Sequence, residues 1–263
     1  MNLLLPALLA IVAYIVAIAL QWRTLNGQST GSPKPLRLAA IVAVIAHLAT
    51  WWQQLVTPTG YDFGIFVVAS TANWLAVLLV LVFSLRSPIE NLLLLVCPPA
   101  LLALAASLLP FAHSNVLTQV EPEHIVPSLL AYSVLFLAAC QAVLLAVQDR
   151  RLRNSKSLIG MRLLPPLQVM ENLLFELLWV GLVLLSIAIA TGLFFLDDMF
   201  EQHVVHHSVL SMSSWLVFAV LLWGRYTLGW RGTTAVRWTI VGFLILALAY
   251  FGSKAVVELL LQR

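Results

Sequence analysis

Charge is the scarcest property of this sequence. Of 263 residues only 11 are acidic and 14 basic, 10% together, where a soluble domain carries about 25%. That shortage excludes a sizeable water-facing domain. Eight crossings of a hydrocarbon core, at about 20 residues each, use roughly 160 residues and leave about 100 for everything else. Cysteine is nearly absent as well. Cys97 and Cys140 lie far apart inside apolar runs with no CxxC or zinc spacing, so they read as packing thiols. The apolar runs do not alternate with polar residues, which fits helices and excludes a transmembrane barrel. No glycine-rich phosphate loop, HExxH, GxSxG or paired-carboxylate pattern occurs, so the chain offers no self-contained hydrolase or nucleotide-driven machine. The opening MNLLLPALLA carries no basic residue ahead of its apolar stretch. Residues 3–21 are therefore expected to stay as a first helix and not to be cleaved as a signal peptide.

What is present is hydrophobic, 62% of the chain. Eight spans are expected, at about 3–21, 37–56, 63–85, 92–112, 124–147, 172–196, 207–225 and 237–257. The fold class is all-α: a polytopic membrane helix bundle of about eight transmembrane helices, forming one integral membrane domain over residues 1–263. Gly27, Gly31, Ser32 and Pro33 punctuate the first connection, and Pro58 and Gly60 the second. Pro98-Pro99 is expected to bend or interrupt the fourth span.

The charges give an orientation. Connections one, three, five and seven hold Arg23, Lys34, Arg37, Arg86, Arg150, Arg151, Arg153, Lys156, Arg162, Arg225, Arg231 and Arg237, which is 12 of the 14 basic residues. Connections two, four and six hold none, and carry Asp62, Glu121, Glu123, Asp197, Asp198 and Glu201. The positive-inside rule then puts both termini outside the cytoplasm, as an even number of spans requires. The net charge of +3 thus reports topology and not nucleic-acid binding. The basic fifth connection, residues 148–166, is placed to touch anionic lipid or a partner.

With this topology five of the six histidines fall on the outer side. His113 and His124 flank the fourth connection, and His203, His206 and His207 follow the sixth. Imidazole is the commonest metal ligand among side chains and the usual proximal ligand of haem iron. If residues 200–225 are helical, His203, His206 and His207 share one face at i, i+3 and i+4. They could face His124 at a comparable depth, or bind a divalent metal with Glu201 as an oxygen ligand. Each of these interfacial rings taken alone is equally a solvated side chain or a helix-end hydrogen bonder. His47 lies near mid-membrane, where a polar ring is costly and normally faces the bundle interior. It suits a ligand or an interhelical hydrogen bond equally well. Trp74 and Trp215 lie deep enough to stack on a flat cofactor or to pack helices. Glu171 is expected in water, while Glu176 could hydrogen-bond within the bundle.

Residues 215–232, WLVFAVLLWGRYTLGWRG, resemble the helix and cytoplasmic turn of the cytochrome c assembly membrane proteins. This is the CcsA-like family, with HemX-like and YpjD-like branches. The stretch from His124, HIVPSLLAYSVLFLAACQAVLLAVQ, resembles the family helix that opens with an extracytoplasmic histidine and continues through a pair matched by Tyr132-Ser133. The closing AYFGSK at 249–254 is similar as well. The resemblance covers roughly residues 60–258 and is nearest the YpjD-like branch in length, span number and the GWRG ending. It implies haem handling in the bacterial inner membrane, with haem and cytochrome assembly proteins as partners. Haem would be carried across or along the membrane and presented outside for attachment to apocytochrome c, held by extracytoplasmic histidines and a tryptophan-rich outer segment.

By position His124 matches the first of those histidines. The outer segment here, LDDMFEQHVVHHSVLSM, has no tryptophan, and His207 falls at the family's lysine. Trp223 stands at the intramembrane histidine before the GW turn, and no histidine follows AYFG. The resemblance therefore implies haem as the cofactor and His124 as one axial ligand; His206 or His207 is then the candidate for the other, and His47 for a mid-membrane ligand if haem enters from the bundle. Covalent haem attachment is not expected, because key family elements are missing. The alternative is a haem-free transport or regulatory subunit using the same fold for an ion, a metal or a protein partner.

Overall fold

The computed structural model describes residues 3–26, 33–58, 60–85, 89–109, 116–117, 122–153, 165–195 and 202–252, without the side chains of residues 117, 195 and 202–207. Among these described residues eight helices are long and apolar enough to cross a membrane, as a polytopic helix bundle requires. They fall into two compact units, residues 1–120 with 151–165, and residues 121–150 with 166–263.

The first unit contains α1 (Leu4–Leu25), α2 (Lys34–Leu55), α3 (Ile65–Phe83) and α4 (Leu93–Ser107), the last entered through a 3₁₀ turn, Glu90–Leu92. Helix α2 starts three residues ahead of the expected span because Pro35 sits in its first turn, where a missing N–H costs no hydrogen bond. Helix α4 runs through Pro98 and Pro99 without a break, so the expected interruption does not occur. Membrane helices tolerate such prolines because neighbouring groups and small backbone adjustments satisfy the freed carbonyls.

Helices α1 and α2 pack along matching stripes. The buried residues include Ala7, Ala10, Tyr14, Ala17 and Gln21 on α1, and Leu36, Ala40, Ala43, His47 and Thr50 on α2. Spacings of three and four keep each stripe on one face, and alanines let the two backbones approach where lipid gives no hydrophobic drive for association. A small antiparallel sheet, β1 (Val56–Thr57), β2 (Gly60–Asp62) and β3 (Val116–Leu117), joins two connections, with Val56 opposite Tyr61 and Asp62 opposite Val116. The Asp62 carboxylate accepts the Gly64 N–H at 2.8 Å and turns the chain into α3.

The second unit contains α5 (Pro122–Arg153), α6 (Leu167–Phe195), α7 (Gln202–Thr227) and α8 (Gly232–Ala247), which ends in a π-helical turn, Leu248–Gly252. Helices α6, α7 and α8 each begin five residues before their expected spans. Apolar patterning finds the hydrocarbon stretch, whereas a helix continues until its backbone is broken, here at Pro165-Pro166 and at the turn before Gly232. Gly242 lets α8 close on α7: a Cβ there would stand 2.8 Å from the Phe218 ring.

Candidate functional site

In the first unit the deep polar centre is His47, fully buried among α1, α2 and α3. Its Nδ1 lies 2.9 Å from Tyr14 Oη and its Nε2 lies 2.7 Å from Ser70 Oγ. A neutral imidazole has one donor and one acceptor nitrogen, and in either tautomer these two hydroxyls use both. The ring also meets Tyr14 edge-on at 5.8 Å. His47 therefore has no nitrogen spare for a metal while this arrangement holds. Tyr14 and Ser70 escaped the sequence reading, although Tyr14 is the one polar ring on the alanine stripe of α1. Trp74 is similarly engaged. Its Nε1–H donates to the Val44 carbonyl at 2.9 Å, and its ring stacks on Trp51 at 6.0 Å with planes 5° apart.

In the second unit His124 sits in the first turn of α5, partly exposed. Its Nδ1 is 3.0 Å from the Ala188 carbonyl on α6. A carbonyl only accepts, so Nδ1 carries the proton and Nε2 carries the lone pair. Ser128 Oγ lies 3.5 Å from that Nε2, but it donates its single hydrogen to the His124 carbonyl at 2.7 Å. Among the described residues the Nε2 lone pair is thus uncommitted. Fixing one imidazole nitrogen on a carbonyl while the other stays free is how metal-ligating histidines are oriented.

The remaining histidines are less defined. His113 lies outside the described residues. The backbone of α7 is helical through His203, His206 and His207, so the three share a face, but their side chains lie outside the description. Their depth differs from that of His124. The Trp215 Nε1–H donates to Ser186 Oγ at 2.8 Å and sets the α6–α7 register. At 1.5 Å per residue, His207 then stands about 9 Å further along the bundle than His124, which is level with Ala188. The same hydrogen bond commits Trp215 to helix packing.

The two glutamates of α6 exchange their expected roles. Glu171 leaves water and binds Arg225 of α7 at 2.7 Å, with side chains 16% and 20% exposed, while Glu176 is exposed. Arg225 also lies 4.4 Å over the Phe175 ring and donates to the Trp230 carbonyl at 3.3 Å. This explains the WGRYTLGWRG sequence. Gly224 makes room for the Trp230 indole, since a Cβ would meet the ring at 2.5 Å. Gly229 and Gly232 adopt φ of 66° and 54°, values that L side chains rarely take. Trp230 packs on Trp238 at 5.2 Å. The motif is a clasp joining α6, α7 and α8. The other two resembling stretches also meet: Tyr132 lies 5.4 Å from Phe251 and 6.1 Å from Tyr250, inside the π-helical turn.

A family model described as cytochrome C assembly protein matches residues 36–261. The inner membrane protein YpjD of Escherichia coli K12 is 33% identical over 261 residues, covering 97% of this chain and 98% of that protein. A 28.8 kDa protein of Azospirillum brasilense is 31% identical over 140 residues, 52% of each chain. The cytochrome c biogenesis protein CcsA of Mesostigma viride is 26% identical over 87 residues, 32% of this chain and 28% of that one. No solved structure matches the chain significantly.

Proposed function

This chain belongs to the cytochrome c assembly protein family, and on that premise we propose that it binds haem and presents or relays it at the extracytoplasmic face. The eight apolar helices and the near-full-length likeness to an inner membrane protein make it a multi-pass protein of the bacterial inner membrane. The outer face is assigned by the absence of basic residues from connections two, four and six.

His124 is the proposed axial ligand. The observation that carries this is its tautomer: Nδ1–H is held by the Ala188 carbonyl, and Nε2 has a lone pair that neither Ala188 nor Ser128 engages. The fit is to an iron that accepts one imidazole nitrogen, and haem would supply the redox chemistry. The chain's own work is to orient that nitrogen and to keep the ring at the rim of the bundle. Ser128 contributes by spending its hydrogen on the His124 carbonyl, so that it does not compete for Nε2. His206 and His207 are the candidates for the second axial position. Being offset along α7, they would hold haem further out than His124 does. His47 acts in this reading as an interhelical hydrogen-bond hub.

The visible spectrum of protein purified in mild detergent from haem-replete cells tests the proposal. The expected result is a Soret band that His124→Ala abolishes and His47→Leu retains. A low-spin spectrum turned high-spin by His206→Ala or His207→Ala would assign the sixth position to α7. A flat spectrum after reconstitution with haem refutes the reading. Stoichiometric zinc or manganese without porphyrin would move the function to the transport or regulatory class.

A further inference from the structure

Helix α7 starts at Gln202, ahead of the stretch Ser208–Thr227 that is apolar enough to cross a membrane. The residues between, QHVVHH, make about one and two-thirds turns, roughly 9 Å of helix. Three of them are histidines, half of the six in the chain. Helix stability does not ask for histidine here. It is a middling helix former, and a first turn favours Ser, Thr, Asp or Asn at the cap and acidic side chains behind it.

The backbone is helical through all three, and this sets their spacing. At 100° per residue, His203 and His207 come back to within about 40° of one another after one full turn, with Cβ atoms about 5–6 Å apart. His206 stands about 60° from His203 on the other side, and about 100° from His207. An i, i+4 pair of histidines is the spacing at which one helix supplies two nitrogens to a zinc ion. The turn is carried on an anchored helix. Trp215 donates to Ser186 Oγ on α6 at 2.8 Å, and Ser214 donates to the Gly242 carbonyl on α8 at 2.9 Å. The charge of the sequence also suits a cation. No Lys or Arg occurs between Arg162 and Arg225, and Asp197, Asp198 and Glu201 come just before the helix.

We propose that His203 and His207 form a chelating site for zinc, or another divalent ion that prefers imidazole, on the outer extension of α7. Two ring nitrogens select that class over magnesium and calcium, which take oxygen ligands. Water completes the coordination, so the ion exchanges and is not locked into the fold. The site goes beyond the haem reading and does not rest on it. With metal bound, His207 is committed and His206 is the α7 histidine left for haem.

Full-length protein prepared without haem in mild detergent, titrated with zinc chloride by isothermal calorimetry, tests the proposal. One zinc per chain is expected, with no heat from magnesium. His203→Gln and His207→Gln are each expected to weaken binding about a hundredfold, because either one ends the chelate, while His206→Gln and His124→Ala stay within about threefold of the wild type. For the same reason the double variant His203→Gln/His207→Gln should bind little worse than either single one. Retained zinc binding in His206→Gln and His124→Ala shows that substitution by itself does not unfold the protein. No zinc heat from the wild type overturns the proposal, as does a loss in His206→Gln equal to that in His207→Gln. Zinc binding that survives the double substitution means an adventitious ion only, and overturns it too. Because haem is absent throughout, a missing Soret band in haem-replete protein leaves these outcomes unchanged.

Discussion

Removing one hydroxyl from the Tyr14–His47–Ser70 centre probes what His47 does. Tyr14→Phe keeps the ring that meets His47 edge-on at 5.8 Å and deletes only the oxygen 2.9 Å from Nδ1. Interhelical hydrogen bonds in membranes average about 0.6 kcal/mol, with a maximum near 1.7. Leaving a buried polar atom unsatisfied costs about 1–3 kcal/mol. With His47 fully buried, no water can replace the lost partner, so we expect Tyr14→Phe to destabilise by about 1–2 kcal/mol. His47→Leu removes the hub and orphans both hydroxyls, for about 2–4 kcal/mol. In the double variant the phenyl ring left at position 14 has no hydrogen bond to lose, so the coupling should come out at about 1–2 kcal/mol. Far-UV circular dichroism during denaturation by dodecyl sulfate in mixed micelles measures all three. Additive effects, with coupling below about 0.3 kcal/mol, would refute the hydrogen-bonded hub. A Soret band lost in His47→Leu and kept in Tyr14→Phe would make His47 a ligand.

Two further expectations concern the clasp at the α7–α8 turn. Gly224→Ala drives a methyl into the rigid Trp230 indole, which Trp238 backs, and overpacking should outweigh the better helix propensity by about 1–2 kcal/mol. Gly252→Ala meets Leu248 only at ordinary contact distance, 3.9 Å, and should stay within about 0.5 kcal/mol of the parent in the same unfolding assay. Arg225→Gln strands the Glu171 carboxylate at 16% exposure and should cost more than the double variant Arg225→Gln/Glu171→Gln. Removing both charges leaves no uncompensated ion, so equal losses in thermal unfolding would contradict a desolvated pair.

Twenty-residue apolar runs have no other stable solution in lipid, so composition alone placed the membrane helices and their approximate centres. The sequence also exposed the stretches that carry the family resemblance and His124 as the histidine matching that family's first outer ligand. Apolar patterning marked the hydrocarbon stretches and not the helix ends, so α6, α7 and α8 begin earlier than those stretches suggest. Tertiary structure decided the state of each polar group. Glu171 and Glu176 are five residues apart on one helix and look alike in sequence, yet one finds Arg225 and the other faces outward. His47 and His124 are chemically identical rings. One has both nitrogens engaged by hydroxyls, and the other, among the described residues, keeps the Nε2 lone pair free because its Nδ1–H goes to Ala188 and Ser128 spends its hydrogen on the His124 carbonyl. Those partners stand 23 to 64 residues away in sequence, apart from Ser128. A hydrogen bond forms over about 3 Å of space, and only the packing of the helices fixes which distant atoms come within that reach.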